Sequence, residues 1–394
     1  MNLLEEAKQI EQETIDNRRK IHRFAELGFD LPKTVEFVTN ALKSYGYRPS
    51  KLGKSGIVCT VGQGSPTILL RADMDALPMQ EESGVSYAAD NGNCHSCGHD
   101  CHTAILLSAA KLLKRHENAL RGTVKFMFQP AEEILAGAQD MINAGVLSNP
   151  DVDAAMAMHV VVGQPYAKPG TICYISGCVA NSGDAIRIVV HGVDGHGSRP
   201  ELAVDAIHIA AHIVLALDEL VSREIPTDED TVVLVGRIEG GTTCNSVGGT
   251  ATLEISVRTT GHQERSYLLR RIREIAEGIA ATFRATAEFT HLYGTPPLIN
   301  DNDTLKAMTG YLKEILPDES VFPIAKNGGS EDFTMIAERV PSVFLHLSAG
   351  RPEDGYTQFV HHPSMQVDES ALAYGVAAFT HCAIRWLESH KIES

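Results

Sequence analysis

The run His95-Ser96-Cys97-Gly98-His99-Asp100-Cys101-His102 concentrates more metal-binding chemistry than any other stretch of the chain. Thiolate and imidazole suit zinc and its late-transition neighbours. Two arrangements would use these residues. In one, Cys94, Cys97, His99, Cys101 and His102 close a structural zinc site within the run, at a spacing tighter than common zinc-knuckle patterns. In the other, only some of them bind metal and the remaining ligands come from distant sequence, which is how an open catalytic site is built.

Candidates for those distant ligands follow apolar runs. Asp73 and Asp75 lie in Arg71-Ala-Asp73-Met-Asp75-Ala-Leu-Pro78, two carboxylates able to face one cleft or to form a solvated acidic turn. Glu132 and Glu133 follow Phe128-Gln-Pro130-Ala. Adjacent glutamates in a loop are ordinarily solvated charge, but beside metal ligands they can divide the tasks of general base and ligand. His159 closes the apolar run Ala154-Ala-Met-Ala-Met, where a lone histidine is ordinarily a hydrogen-bonded core or edge residue. His361-His362-Pro363 lies in a loop before Asp368-Glu369 and the last helix.

Regular elements must hold these residues. Apolar runs bounded by Gly and Pro predict strands over 57–61, 67–71, 124–128 and 154–159, and helical periodicity predicts helices over 3–23 and 33–45. The apolar stretch from Thr103 predicts a helix that Asp100 would cap, so the His95–His102 ligands would sit in the turn leading into it. Strands alternating with helices imply a layered α/β domain with a largely parallel sheet, whose ligands gather at the carboxyl ends of strands. After Gly183 the pattern changes to strand 184–191, helix 203–222, strands 231–239 and 250–258, helix 263–282 and strand 284–292. That β-α-β-β-α-β order is a ferredoxin-like α+β module. Residues 182–293 therefore read as a domain inserted into a discontinuous one, 1–181 and 294–394, which ends in a helix over 369–388.

With 394 residues, 43% of them hydrophobic, the chain can build two cores. A net charge of -16 argues against nucleic acid and anionic membranes as partners. No apolar run is long enough to span a bilayer, and the charged, helix-patterned start is not a signal peptide. Eight scattered cysteines without a disulfide-scaffold pattern point to a reducing, cytoplasmic compartment.

Taken together, Leu70-Arg-Ala-Asp-Met-Asp-Ala-Leu-Pro-Met79, His95-Ser-Cys-Gly-His-Asp100, Phe128-Gln-Pro-Ala-Glu-Glu133, His159, Ser330-Glu-Asp-Phe333 and His361-His-Pro363 resemble, in order and across nearly the whole chain, the metal-dependent aminoacylase and carboxypeptidase superfamily. The resemblance is to its N-acyl-amino-acid amidohydrolase branch, which includes auxin-amino-acid conjugate hydrolases and hippurate hydrolases. It implies that Cys97, His99, Glu133, His159 and His361 ligate two divalent ions. Zinc or manganese is expected first, and cobalt or nickel also suits such donors. It implies Glu132 as general base and Asp75 as a support behind the ligands. The inserted domain would be a dimerisation lid, with His196 reaching the partner subunit's site and Asn245 and Arg258 contacting substrate. The chain departs from the pattern after Asn245, where Ser246-Val-Gly-Gly249 replaces the usual Ile-Pro, and Cys94 and Cys101 are extra thiols.

The expected reaction is hydrolysis of an N-acyl or N-aroyl amino acid by a metal-activated water, with a homodimer as the working form. Arg258 suits a bidentate pair with a free carboxylate, which places an α-carboxylate next to the scissile amide. Three alternatives stand beside it: a dipeptidase or carboxypeptidase on the same scaffold, a metal-stabilised binding protein in which Glu132 is dispensable, and a purely structural zinc site.

Overall fold

The computed structural model describes residues 2–227, 229–326 and 328–391. The chain folds into two compact units: Met1–Val179 with Ile299–Lys326 and Met335–Ser394, and Ala180–Leu298 with Asn327–Thr334. The first is an α/β unit with a large, mainly parallel sheet. The second is a ferredoxin-like α+β unit inserted into it.

In the first unit an eight-stranded sheet is ordered Ser50–Leu52, Gly56–Gly62, Thr123–Gln129, Thr67–Asp73, Ala154–Val161, Ser342–Ser348, Ile172–Tyr174, Val321–Pro323. The four strands from Thr123–Gln129 to Ser342–Ser348 run parallel. Gly56–Gly62 and Ile172–Tyr174 flank them antiparallel. Every residue of Thr67–Asp73, Thr123–Gln129 and Ser342–Ser348 is buried, which is why these strands read as mostly apolar on both faces, with Arg71, Lys125 and His346 as buried polar exceptions.

The connections explain where a site can form. Thr67–Asp73 has Thr123–Gln129 on one side and Ala154–Val161 on the other. The chain leaves Thr67–Asp73 through helix His99–Arg115 to the first neighbour. It then returns through helix Gly137–Asn143 to the second. Right-handed crossovers in opposite directions open a crevice at the carboxyl end of the central strand. Asp73, Glu132, Glu133 and His159 all belong to that edge.

Helix His99–Arg115 is buried along nearly its whole length. It begins at His99 rather than near Thr103, so His99 and His102 are in its first turn and not in a preceding loop, while His95 precedes the helix. Its cap is Gly98 at φ 84°, with no side-chain cap bond. Asp100 does not cap it, because its carboxylate is drawn into the core by Arg18 Nε at 2.7 Å and His22 Nδ1 at 2.8 Å. A buried cation is a better partner for a buried carboxylate than an N–H that water could serve. The predicted helix over 3–23 is two helices, Leu3–Gln9 and Glu11–Phe24, broken at Ile10.

The second unit has four antiparallel strands ordered Val232–Gly240, Thr250–Arg258, Gly183–His191, Thr286–Thr295. One face is covered by helices Ala206–Glu224 and His262–Thr282. Ile186, Ile188, Val190, Leu253, Ile255 and Val257 pack there against helical residues such as Ile213, Leu217, Leu268 and Ile272. Alternate strand residues point at those helices, so the strands show period-two burial. Among the described residues, no helix is long and apolar enough to cross a membrane.

Candidate metal centre

The turn between Cys97 and His99 is made by a residue that must be glycine. Gly98 has a left-handed φ, and a Cβ there would meet Val160 Cγ2 at 2.3 Å. This sharp turn lets Cys97 and His99 face one point although they are two residues apart. Val160 belongs to the strand that carries His159, so the close approach also brings the third donor in. Cys97 Sγ lies 3.4 Å from His159 Nε2 and 3.2 Å from His361 Nε2. Glu133 Oε2 is 3.5 Å from His361 Nε2, and Glu133 Oε1 is 3.9 Å from His99 Nε2.

The hydrogen bonds on the far side of each ring fix which nitrogen is bare. His99 Nδ1 donates to the Asp75 carbonyl at 2.9 Å, and His159 Nδ1 donates to the Val160 carbonyl at 2.7 Å. Carbonyls only accept, so these nitrogens carry protons and the Nε2 lone pairs turn inward. His99 Nε2 and Glu133 Oε1 are buried and make no hydrogen bond. Buried polar atoms without partners are rare and costly, and both are good ligand atoms. Of the groups whose ligand atoms all lie within 4.8 Å of one another, two contain Cys97: Cys97, His99 and His159, and Cys97, Glu133 and His361. The two groups share one sulfur. This set of thiolate, imidazole and carboxylate fits divalent transition ions.

Burial and neighbouring charges set the protonation of these donors. Burial pushes the Cys97 thiol well above its usual range, with His99 acting against it. Burial and His102 push His159 well below, so it stays a neutral donor. Burial raises the Glu133 carboxyl, and His99 and His361 offset this in part. Burial would lower His99, yet the charges of Asp73 and Cys97 raise it well above its usual range. Surroundings that hold a proton there would also favour a metal cation in its place.

Glu132 sits beside the cluster, its Oε2 3.8 Å from His99 Nε2. Asp75 aims both carboxylate oxygens at the glutamate turn. It accepts from the backbone N–H of Glu132 at 3.0 Å and of Glu133 at 3.1 Å. One aspartate thus holds the glutamate pair with its side chain and His99 with its carbonyl. The turn is strained: Ala131 at φ 57° and Leu135 at φ 53° bracket it, and His361 itself has φ 65°. Such conformations cost free energy in non-glycine residues and persist where the surroundings enforce them.

The rest of the cysteine–histidine run is used otherwise. His102 donates from Nδ1 to Asp73 at 2.6 Å and accepts the Val160 N–H on Nε2 at 2.9 Å, so neither nitrogen is left for a metal. Cys101 packs into the apolar core, and Cys94 is buried against Leu77 in a backbone pair. His95 is buried, and burial pushes its pKa down to about 3. Among the described residues Cys94, His95 and Cys101 join no three-donor group. The closed zinc site within the run is not formed. Accordingly Cys97→Ala should lose bound metal while Cys94→Ala keeps it, read by metal analysis of the purified proteins. Equal losses would restore the structural-zinc reading.

Sequence patterns overlooked two supports. Arg71 donates to Asp73 at 2.6 Å and to Gln129 at 3.0 Å, behind the His102 contact. Arg18, almost wholly buried, binds Asp100, the Tyr87 hydroxyl at 2.7 Å and Glu369 at 3.0 Å. Burial would raise the Asp100 carboxyl, but Arg18 and His22 hold it well below the usual range. For Arg71 the signal was a charged residue inside a largely apolar strand, whereas Arg18 lies in the mostly polar helix Glu11–Phe24, where nothing local marks it. Arg18→Met should cost about 3–5 kcal/mol in denaturant unfolding, because it leaves the Asp100 charge buried with less compensation. A loss below about 1 kcal/mol would show that the network is not a support.

The lid candidates all lie in the second unit, in two places. His196 is exposed in the short strand Gly195–His196 and pairs with Ser246 of Ser246–Val247, next to Asn245. Asn245 is exposed too, accepting from Thr243 Oγ1 at 2.9 Å. Arg258 is the last residue of Thr250–Arg258 and donates to Ser330 Oγ at 3.2 Å. A nine-residue strand therefore separates Arg258 from the other two.

The sequence profile of Peptidase family M20/M25/M40 matches residues 69–385. The chain is 34% identical over 382 residues to the N-acetylcysteine deacetylase of Bacillus subtilis (strain 168), covering 96% of this chain and 97% of that one. It is 33% identical over 381 residues to IAA-amino acid hydrolase ILR1-like 2 of Arabidopsis thaliana, covering 94% of this chain and 84% of that one. A solved structure from Bacillus subtilis, described as a dinuclear metal binding peptidase from the M20 family, matches with TM-score 0.83 at 31% identity, covering 98% of this chain and 100% of that one. Given a profile match over most of the chain and full-length relatives at this identity, the chain belongs to Peptidase family M20/M25/M40, in its amidohydrolase branch, and is a hydrolase of amide bonds.

Proposed function

We propose that this protein hydrolyses N-acyl or N-aroyl amino acids, releasing a free amino acid and a carboxylic acid. The observation that carries this reading is the placement of Glu132, a buried carboxylate that is in neither sulfur-sharing donor group but touches the edge of both. Cys97, His99, Glu133, His159 and His361 would hold two divalent ions, in keeping with the solved Bacillus subtilis relative, itself described as dinuclear. Zinc or manganese is the first expectation for this donor set, with cobalt or nickel also suitable. When bound, such ions acidify water and polarise the amide carbonyl.

The chain's own residues do the rest. Glu132 accepts a proton from the attacking water and delivers it to the amide nitrogen. The water oxygen becomes bonded to the acyl carbon, and the carbon–nitrogen bond breaks with its electron pair left on the amine. Asp75 keeps Glu132 and Glu133 in register through their backbone N–H groups. Arg258 would pair with the α-carboxylate of the substrate. His196 and Asn245 would complete the neighbouring protomer's site in a homodimer formed through the inserted unit.

The test is a metal-loaded activity screen over N-acetyl, N-benzoyl and N-indolylacetyl amino acids beside dipeptides. Turnover of the acyl amino acids with release of one amino acid per cleavage is expected. Turnover of dipeptides alone would replace this reading with a dipeptidase on the same scaffold.

A further inference from the structure

The helix Ala206–Glu224 carries a histidine pair that the hydrolytic site does not use. His208 and His212 are four residues apart, so they project from one face of the helix. Both are exposed, while Ile209 and Ile213 between and beside them are buried on a neighbouring face. Asp205 caps the helix by accepting from the backbone N–H of Ile207 at 3.0 Å and of His208 at 3.1 Å, which steadies the first turn. Phe283, just past the end of the neighbouring helix His262–Thr282, stacks on His212 with centroids 5.0 Å apart and meets His208 edge-on at 5.8 Å. The rings are therefore packed against a fixed neighbour although they face water.

Their Nε2 atoms lie 3.1 Å apart. Two imidazole nitrogens at about 2.0–2.1 Å from one zinc ion, at angles from square to tetrahedral, stand roughly 2.9–3.4 Å apart. The observed spacing falls inside that range. One ring donating a proton to the other also satisfies it, and a cation would take the place of that shared proton.

We propose that His208 and His212 form a bidentate site for a late divalent transition ion: copper, nickel or zinc. Water fills the remaining positions. The face is exposed, so binding carries no cost of burying charge. With two imidazoles and no thiolate or carboxylate, copper binds tightest and manganese weakest, as the Irving–Williams order and donor softness require. The site shares no residue with the Cys97 cluster, so its failure would leave the hydrolytic reading untouched. An ion there clips one helical turn to the next, next to Phe283.

Nickel titrated into the full-length protein, counted by calorimetry, tests this. The unaltered chain should bind one more nickel ion than His208→Gln or His212→Gln. Each single variant should weaken that equivalent at least about tenfold, since a lone imidazole lacks the intramolecular second donor. The double variant should look like either single one, and the remaining stoichiometry and amidase activity should not change. Copper bound at the extra site should show two nitrogen ligands by electron paramagnetic resonance, lost in both variants. Two results would overturn the proposal: unchanged nickel stoichiometry and affinity in the single variants, or additive half-losses. In either case the pair is a surface hydrogen bond and nothing more.

Discussion

Glu132→Gln should keep the fold and the metal content and lose at least about a hundredfold in turnover, the scale of a general base removed from amide hydrolysis. The substitution preserves volume and leaves the backbone N–H that Asp75 holds at 3.0 Å, so the turn should not move. What it deletes is the proton-accepting oxygen beside His99. The loss should appear in kcat with little change in KM, because Glu132 acts on the water rather than on the substrate's binding groups. Glu133→Gln should behave differently and lose metal, because the Glu133 oxygens stand inside the donor cluster, 3.9 Å from His99 Nε2 and 3.5 Å from His361 Nε2. Near-normal turnover of a fully metal-loaded Glu132→Gln protein would sink the assignment and favour a binding protein without catalysis.

Mixing two dead proteins should restore activity. The expectation rests on a distance inside the second unit. His196 and Asn245 lie near the Thr250 end of strand Thr250–Arg258, and Arg258 lies at the other end. Eight residue steps of extended chain span about 26 Å. An acyl amino acid is far shorter, so one substrate cannot touch both ends of one sheet. If His196, Asn245 and Arg258 all serve one pocket, two chains must contribute, most simply across a two-fold axis. The His196 side chain is exposed, its Nδ1 bonded to the Ser198 hydroxyl at 2.9 Å and accepting the Ser198 backbone N–H at 3.2 Å, and it is available for such a role. Combine inactive Glu132→Gln protein with inactive His196→Ala protein and allow subunits to exchange. In a mixed dimer one site has an intact Glu132 and the partner subunit's intact His196. Random pairing should then return about a quarter of native activity, half of the dimers being mixed with one of two sites complete. If the exchanged mixture stays dead while native protein treated alike stays active, each site is built by one chain.

Several features were readable before any coordinates. The strand ends carrying Asp73, Glu132 and His159 stood out because apolar runs stop there at charged residues. The inserted βαββαβ unit was visible because the order of strands and helices changes after Gly183. Cys97 and His99 were marked by residue type alone. Sorting them from Cys94, Cys101 and His102 was beyond a local pattern, since all five carry comparable donors within a few positions. Asp100 shows why. By local rules it caps a helix, but Arg18, 82 residues earlier, and His22 claim its carboxylate.

Which residue types were available, and on which elements they would fall, followed from hydrophobic periodicity and from turn residues close in the chain. Which of them meet followed from the long-range packing of the chain. His361 reaches Cys97 across 264 positions. His102 is withdrawn from the donor set because Asp73 and the Val160 N–H occupy its two nitrogens. The inward lone pairs of His99 and His159 are set by carbonyls of Asp75 and Val160 on the central strands and the loops that follow them. A hydrogen bond or a ligand set needs atoms within a few ångströms, and for residues so far apart in the chain that proximity comes from strand order and crossover handedness, not from local spacing.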